Sequence, residues 1–170
     1  MVTTKDIKIL DMFMQAHSIP YVLTGTAALM MHGILPKGYA ADDIDIIVLA
    51  NKSEDFSKYT SIEKTLSELE LLSGEEKNVD YNSVITFKVN GVKVNAFMGN
   101  KEIHRKETGH IDSYTNNSGE KERCCTMIIE DRYICVSDVT CVLRAKFGLK
   151  RMKDYIFAKN LASPILNIGF

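Results

Sequence analysis

The chain is short of several features that would classify it at once. Its 4 cysteines, Cys124, Cys125, Cys135 and Cys141, contain no C-x-x-C pair, and with His104 or His110 they match no usual zinc-ligand spacing. Adjacent Cys124 and Cys125 would point to opposite faces of a strand, so buried or idle thiols are expected. Net charge is also lacking. With 21 Lys+Arg against 22 Asp+Glu, the formal charge is -1, which gives no global pull toward nucleic acid and leaves any such contact to a local basic patch. Aromatic and basic residues do not interleave in the way that stacks single-stranded bases. Residues 1–11 carry Lys5, Asp6 and Lys8 and no long apolar segment, which argues against a signal peptide or membrane span there and for a cytoplasmic protein.

The composition that remains is ordinary and globular. At 170 residues and 19.1 kDa, with 45% hydrophobic and 25% charged residues, the chain suits one domain, with or without a short helical appendage. One stretch stands apart. An apolar run ends at Leu23-Thr24-Gly25-Thr26, a helical pattern leads through Ala27, Ala28 and Leu29 to Met31-His32-Gly33, and Asp43-Ile44-Asp45 opens an apolar strand. Residues i and i+2 of a strand share a face, so Asp43 and Asp45 set two carboxylates side by side while Ile44 and Ile46 turn to the core. Carboxylates that close repel unless a cation lies between them. Hard divalent cations such as Mg2+ take such oxygens and keep waters and substrate phosphates as further ligands. Backbone N–H groups at Gly25 and Thr26 would open a helix, which suits a phosphate. A lone Asp-x-Asp is usually a solvated edge; the order strand, glycine turn, helix, acidic strand makes this one a metal-site candidate.

These residues resemble the nucleotidyltransferase superfamily with the DNA polymerase β-like fold, in particular its small bacterial branch related to abortive-infection and toxin–antitoxin nucleotidyltransferases. That branch carries a strand, Gly-Gly or Gly-Ser, a helix ending near His-Gly, a loop, and Asp-apolar-Asp on the next strand. Here Thr26 takes the second place of the glycine pair and keeps the hydroxyl. The likeness is clearest over residues 20–50 and returns over 137–160, where Lys146, Arg151, Lys153 and Asp154 are similar to the late basic helices of the family. It implies an α/β (α+β) fold: a mixed sheet flanked by helices, with a core over residues 1–136 and a C-terminal helical segment, 137–170, packed on the same domain. It also implies a reaction. Asp43 and Asp45 would hold Mg2+ (or Mn2+) on a nucleoside triphosphate, Gly25 and Thr26 would cradle the outer phosphates, and Lys146 or Lys153 would neutralise the leaving pyrophosphate while a hydroxyl acceptor attacks the α-phosphorus. The acceptor, whether protein, RNA end or small molecule, is not legible, and an antitoxin partner follows from the family branch alone.

One position departs from the family pattern. Residues 84–89 and 92–98 alternate around Asn90-Gly91, a strong hairpin signal, and the second arm is where the family places a third carboxylate. This chain has Asn95 there, within Val94-Asn95-Ala96-Phe97. An amide oxygen ligates a metal weakly, brings no charge and takes no proton. Asn95 therefore joins Asp43 and Asp45 as a metal-ligand candidate, beside the plainer reading that it packs at a strand end. A catalytically degenerate nucleotide- or partner-binding protein of the same fold is the rival to the enzyme. Asp80 is a substitute acid with no spacing to place it.

Elsewhere the pattern predicts an amphipathic helix over residues 4–17, capped by Thr3 or Thr4, with Ile7, Leu10 and Met14 inward and its charged side solvated. Residues 20–24 form a strand, 26–31 a helix closed by Gly33, and 34–41 a connection with Pro36 and Gly38. A strand over 43–49 precedes a helix over 61–72 that Ser73-Gly74 ends. Residues 100–123 read as a long polar lid or unordered loop in which Lys101, Arg105 and Lys106 could reach a phosphate, although solvated charge is the commoner reading. A second hairpin over 126–129 and 133–136 precedes a helix from a Ser137 cap to about residue 149 and another to about 162. Lys146, Lys150 and Lys153 then fall at helical spacings, where basic residues serve the helix dipole equally well.

Overall fold

A computed structural model describes residues 1–69, 73–76, 83–99, 101–116 and 118–148. The first helix, α1 (Thr4–Ala16), starts where Thr3 and Asp6 cap one another: the Asp6 N–H donates to Thr3 Oγ1 at 3.3 Å and the Thr3 N–H to Asp6 Oδ2 at 2.8 Å. Ile7, Leu10 and Met14 are buried, as the periodicity requires. Pro20 precedes β1 (Tyr21–Thr24), which runs without a spacer into α2 (Gly25–Met31). Gly33, at φ +73°, allows its own N–H to reach the Met30 carbonyl and that of Ile34 to reach Leu29. Those two bonds close the helix.

The remaining elements are β2 (Ile44–Val48), α3 (Phe56–Ser67), β3 (Ser73–Glu76), β4 (Ser83–Val89), β5 (Val92–Met98), β6 (Glu102–Arg105), β7 (Ile111–Thr115), β8 (Lys121–Ile129), β9 (Arg132–Ser137) and α4 (Val139–Gly148). The strands form one mixed sheet in the order β3-β4-β5-β2-β1-β9-β8-β7-β6. At its centre β2 is antiparallel to β1 and parallel to β5, while β1 is parallel to β9. Alternation sorts these strands between two cores. Ile44, Ile46, Val48, Val94, Ala96 and Val136 pack with Ile7 and Leu10 of α1 and Leu29 of α2 on one face. Val22, Ile47 and Leu49 meet Tyr114 and Cys124 on the other. Helix α4 packs on α2 and sends Val142 and Leu143 into the first core.

Several expectations are corrected. Helix α3 begins at Phe56, not residue 61, because Asp55 caps it by accepting the Lys58 N–H at 2.9 Å, ahead of the apolar period. Ser73-Gly74 does not end that helix but opens β3, where Ser73 pairs with Thr86. The described residues of the polar run over 100–123 are largely strand and not an unordered loop. They supply β6, β7 and the start of β8, whose backbones pair in antiparallel ladders, and an irregularity between His104 and Arg105 breaks the alternation that would have shown this. Lys101 is 1% exposed and so does not reach out for a phosphate. The charged side of α1 is not wholly solvated either, since Asp11 is buried with Tyr21 and Arg132. Helix α4 starts two residues past Ser137, which ends β9, and its first bond runs from the Val142 N–H to the Asp138 carbonyl. Asp80, Lys150, Arg151, Lys153, Asp154 and the final helix lie outside the described residues.

Candidate active site

The register of the central strands builds a row of polar side chains. Thr24 of β1 pairs with Asp45 of β2, Asp45 with Asn95 of β5, and Asn95 with Thr86 of β4. Residues opposite one another in adjacent strands share a face, so the row continues the side of the sheet on which Ile47 lies. Asp43 lies just ahead of β2, which spans Ile44–Val48 and not the expected 43–49, and it reaches the row through Asn95. Asn95 is at the middle of its strand and not at an end. Its Nδ2 donates to Asp45 Oδ1 at 2.9 Å and to Asp43 Oδ2 at 3.3 Å, and its Oδ1 accepts from Thr86 Oγ1 at 2.9 Å. One amide thus holds both carboxylates, and one buried hydroxyl meets the amide's other end.

The turn into α2 presses against the same carboxylate. Gly25 has φ +66°, and a Cβ built there would lie 2.5 Å from Asp45 Oδ2. Both the backbone conformation and the close approach demand glycine at this position. Next to it, Lys146 of α4 donates from Nζ to Thr26 Oγ1 at 2.8 Å. The ammonium is held there by the packing of α4 on α2 and by a second tie, in which His32 Nε2 donates to the Ser137 carbonyl at 2.8 Å. Asp43, Asp45, Asn95, Gly25, Thr26 and Lys146 are therefore brought together, while Lys153 lies outside the described residues.

Two participants were missed from the sequence. Thr86 was findable, because a two-residue Asn90-Gly91 turn pairs residue 89 with 92 and hence 86 with 95. His32 as the tie to Ser137, at the end of β9 just ahead of α4, was not, since its partner is distant in sequence.

The donor set is chemically suited to a hard divalent cation as far as it goes: Asp43 and Asp45 offer carboxylate oxygens on one face. No third acid, histidine or cysteine completes a metal-binding cluster among the described residues. As arranged, Asn95 presents N–H and not oxygen to the two acids. Its oxygen would face a cation only if the amide turned over, in which case the Thr86 hydroxyl, able to donate or accept, would reverse its role.

No family model and no curated protein matches the chain. Solved structures do. A crystal structure of a candidate nucleotidyltransferase, TM1012, from Thermotoga maritima superposes with a TM-score of 0.53 over 96% of this chain and 96% of that one, at 15% identity. The solution structure of the antibiotic-resistance factor ANT(2'')-Ia matches with a TM-score of 0.56, 11% identity, and coverage of 95% and 83%. This chain has the nucleotidyltransferase fold. A crystal structure of ANT(2'')-Ia in complex with adenylyl-2''-tobramycin matches similarly, with a TM-score of 0.53, 11% identity, and coverage of 95% and 88%. At such identities the likeness concerns the nucleotidyltransferase fold itself, and the chemistry rests on the residues that this chain places on it.

Proposed function

We propose that the protein transfers a nucleotidyl group from a nucleoside triphosphate to a hydroxyl acceptor, with Asp43 and Asp45 holding Mg2+ or Mn2+. The observation that carries this reading is the pair of carboxylates on one sheet face, in contact with Asn95 and pressed against Gly25. When bound, the cation would supply a positive centre shared by the carboxylates and the phosphates and would stabilise charge on the reacting oxygens.

The chain's own residues do the rest. The backbone N–H groups of Gly25 and Thr26, at the start of α2, meet an outer phosphate, and Thr26 adds a hydroxyl. Lys146, already at Thr26, offsets the charge on the departing pyrophosphate, and Lys153 is proposed for the same task. The acceptor oxygen forms its bond to the α-phosphorus as the bond from that phosphorus to the β-phosphate oxygen breaks. Neutral Asn95 cannot take the acceptor's proton, so the proton leaves to Asp43, Asp45 or water. For Asn95 to act as a third ligand its amide must turn, and Thr86 permits both orientations.

A second reading has its own observation. The Asn95 amide bridges Asp43 and Asp45 by hydrogen bonds alone, which lets the pair coexist without a cation and fits a protein that binds nucleotides or partners without transferring anything. Calorimetry with nucleoside triphosphates, with and without Mg2+, separates these outcomes. We expect Mg2+-dependent binding that weakens by about tenfold or more in Asp43→Ala and Asp45→Ala. Equal affinity with and without Mg2+ and in both variants would overturn the metal-bridged site. Pyrophosphate release would then be followed with an acceptor panel: an aminoglycoside, because tobramycin appears in the ANT(2'')-Ia complex, together with RNA ends and proteins, including an antitoxin-like partner. Tight binding without pyrophosphate release across the panel favours the second reading.

A further inference from the structure

A cavity of about 400 Å³ opens at the other end of β1, where Pro20 and Tyr21 enter the sheet. Three residue steps of extended strand, about 10 Å, separate Tyr21 from Thr24 of the carboxylate row. The volume is within the range of small-molecule sites.

The charges around this cavity do not cancel. Its one acid, Asp11, is 2% exposed and already engaged at both oxygens, by the Tyr21 hydroxyl on Oδ1 at 2.6 Å and by Arg132 Nε on Oδ2 at 2.6 Å. Lys58 from α3 and Arg105 from β6 also line the cavity, and neither is in an ion pair among the described residues. Arg105 uses one donor, from Nη1 to the Gly109 carbonyl at 3.0 Å. That bond steadies the guanidinium while the rest of its donor fork stays available. Beside these cations stands an aromatic wall. Tyr133, 67% exposed, lies against His110 with ring centroids 5.8 Å apart and planes tilted by 51°.

We propose that this cavity binds a small phosphate ester that carries a planar ring, of the nucleoside monophosphate class, without a divalent metal. Arg105 and Lys58 take the phosphate, and the Tyr133–His110 pair takes the ring. A guanidinium fork matches phosphate geometry, and an exposed aromatic face accepts a planar base irrespective of its identity. The site is independent of the carboxylate row and of the reading given to that row.

The test titrates the full chain in EDTA with AMP, ribose 5-phosphate and inorganic phosphate, followed by amide NMR shifts. AMP should saturate at about 1 mM or below, shift residues around Arg105 and Tyr133, and bind about tenfold or more weakly in Lys58→Gln/Arg105→Gln. Tyr133→Ala should weaken AMP several-fold and leave inorganic phosphate unchanged. Asp43→Ala should leave AMP binding intact. Equal binding of AMP and ribose 5-phosphate would overturn the ring contact. No saturation, no loss in the double variant, or loss in Asp43→Ala would overturn the site itself. Should the double variant not fold, Lys58→Gln alone, on the exposed side of α3, serves as the decisive substitution.

Discussion

Replacing Gly25 by alanine tests the close approach of the α2 turn to the Asp45 carboxylate. Two separate penalties are expected. Alanine at a φ of +66° is held in the left-handed region at about 1–2 kcal/mol. The added Cβ also meets Asp45 Oδ2 at 2.5 Å, well inside van der Waals contact, and overpacking of that kind costs about 1–3 kcal/mol. Gly25→Ala should therefore destabilise by about 2–5 kcal/mol, a fall in Tm of roughly 5–15 °C for a chain of this size. The two terms can be told apart in a double-mutant cycle with Asp45→Ala, which removes the carboxylate that the methyl strikes. Urea unfolding of the four proteins should show Gly25→Ala costing only about 1–2 kcal/mol in the Asp45→Ala background, with the remainder appearing as coupling. An equal cost in both backgrounds would refute the close approach and, with it, the placement of the glycine turn against the carboxylate. Mg2+-dependent nucleotide binding, measured in the same proteins, should fall in Gly25→Ala because the displaced carboxylate is the proposed metal ligand.

Two further outcomes are expected. Asn95→Asp exchanges the amide that donates to Asp45 at 2.9 Å and Asp43 at 3.3 Å for a third like charge; without metal it should lower stability by about 1–3 kcal/mol, and Mg2+ should raise its Tm by more than that of the parent, so identical Mg2+ responses would sink the argument. Lys101 is 1% exposed, and burial lowers its ammonium from 10.5 to about 8. Below about 8 it is charged in both folded and unfolded chains, between about 8 and 10.5 the unfolded chain binds more protons, and so the parent gains stability as pH rises through that window. Lys101→Met should accordingly lead the parent by up to about 3 kcal/mol at pH 7, with the lead shrinking toward pH 10.5; a gap that does not change with pH would refute the assignment.

The legible parts of this chain are those in which local chemistry and the final fold agree. Thr3 and Asp6 cap α1 as their spacing requires. Asn90 and Gly91, both at positive φ, turn the β4–β5 hairpin and so fix Asn95 opposite Thr86. Ile44 and Asp45 turn to opposite faces because strand period leaves no other choice, and Asp43, just ahead of β2, meets Asp45 through the Asn95 amide. Gly25 marked a turn from its place between strand and helix. What failed to show was held by partners far away in the chain. A polar run such as 100–123 lacks an apolar period of its own and becomes strand only because its backbone groups are paired across neighbouring strands.

Sequence alone therefore determined the order of the central elements, the turning of Asp45 away from the face of Ile44 and Ile46, and glycine at the turn, since each depends on dihedral preference or on a period of two. Tertiary structure decided what those residues touch. Parallel pairing of β2 with β5, which no local signal specifies, set Asn95 beside Asp45 and aimed an N–H where a carboxylate was expected. Packing of α4 on α2 carried Lys146 across 120 positions to Thr26. Asp11, one of several charges on an amphipathic helix when read along the chain, was drawn inside because Tyr21 and Arg132 arrive from β1 and β9 to satisfy both of its oxygens. The Asp11 carboxylate is buried where partners from elsewhere in the fold converge on it, and that convergence is a property of the three-dimensional arrangement.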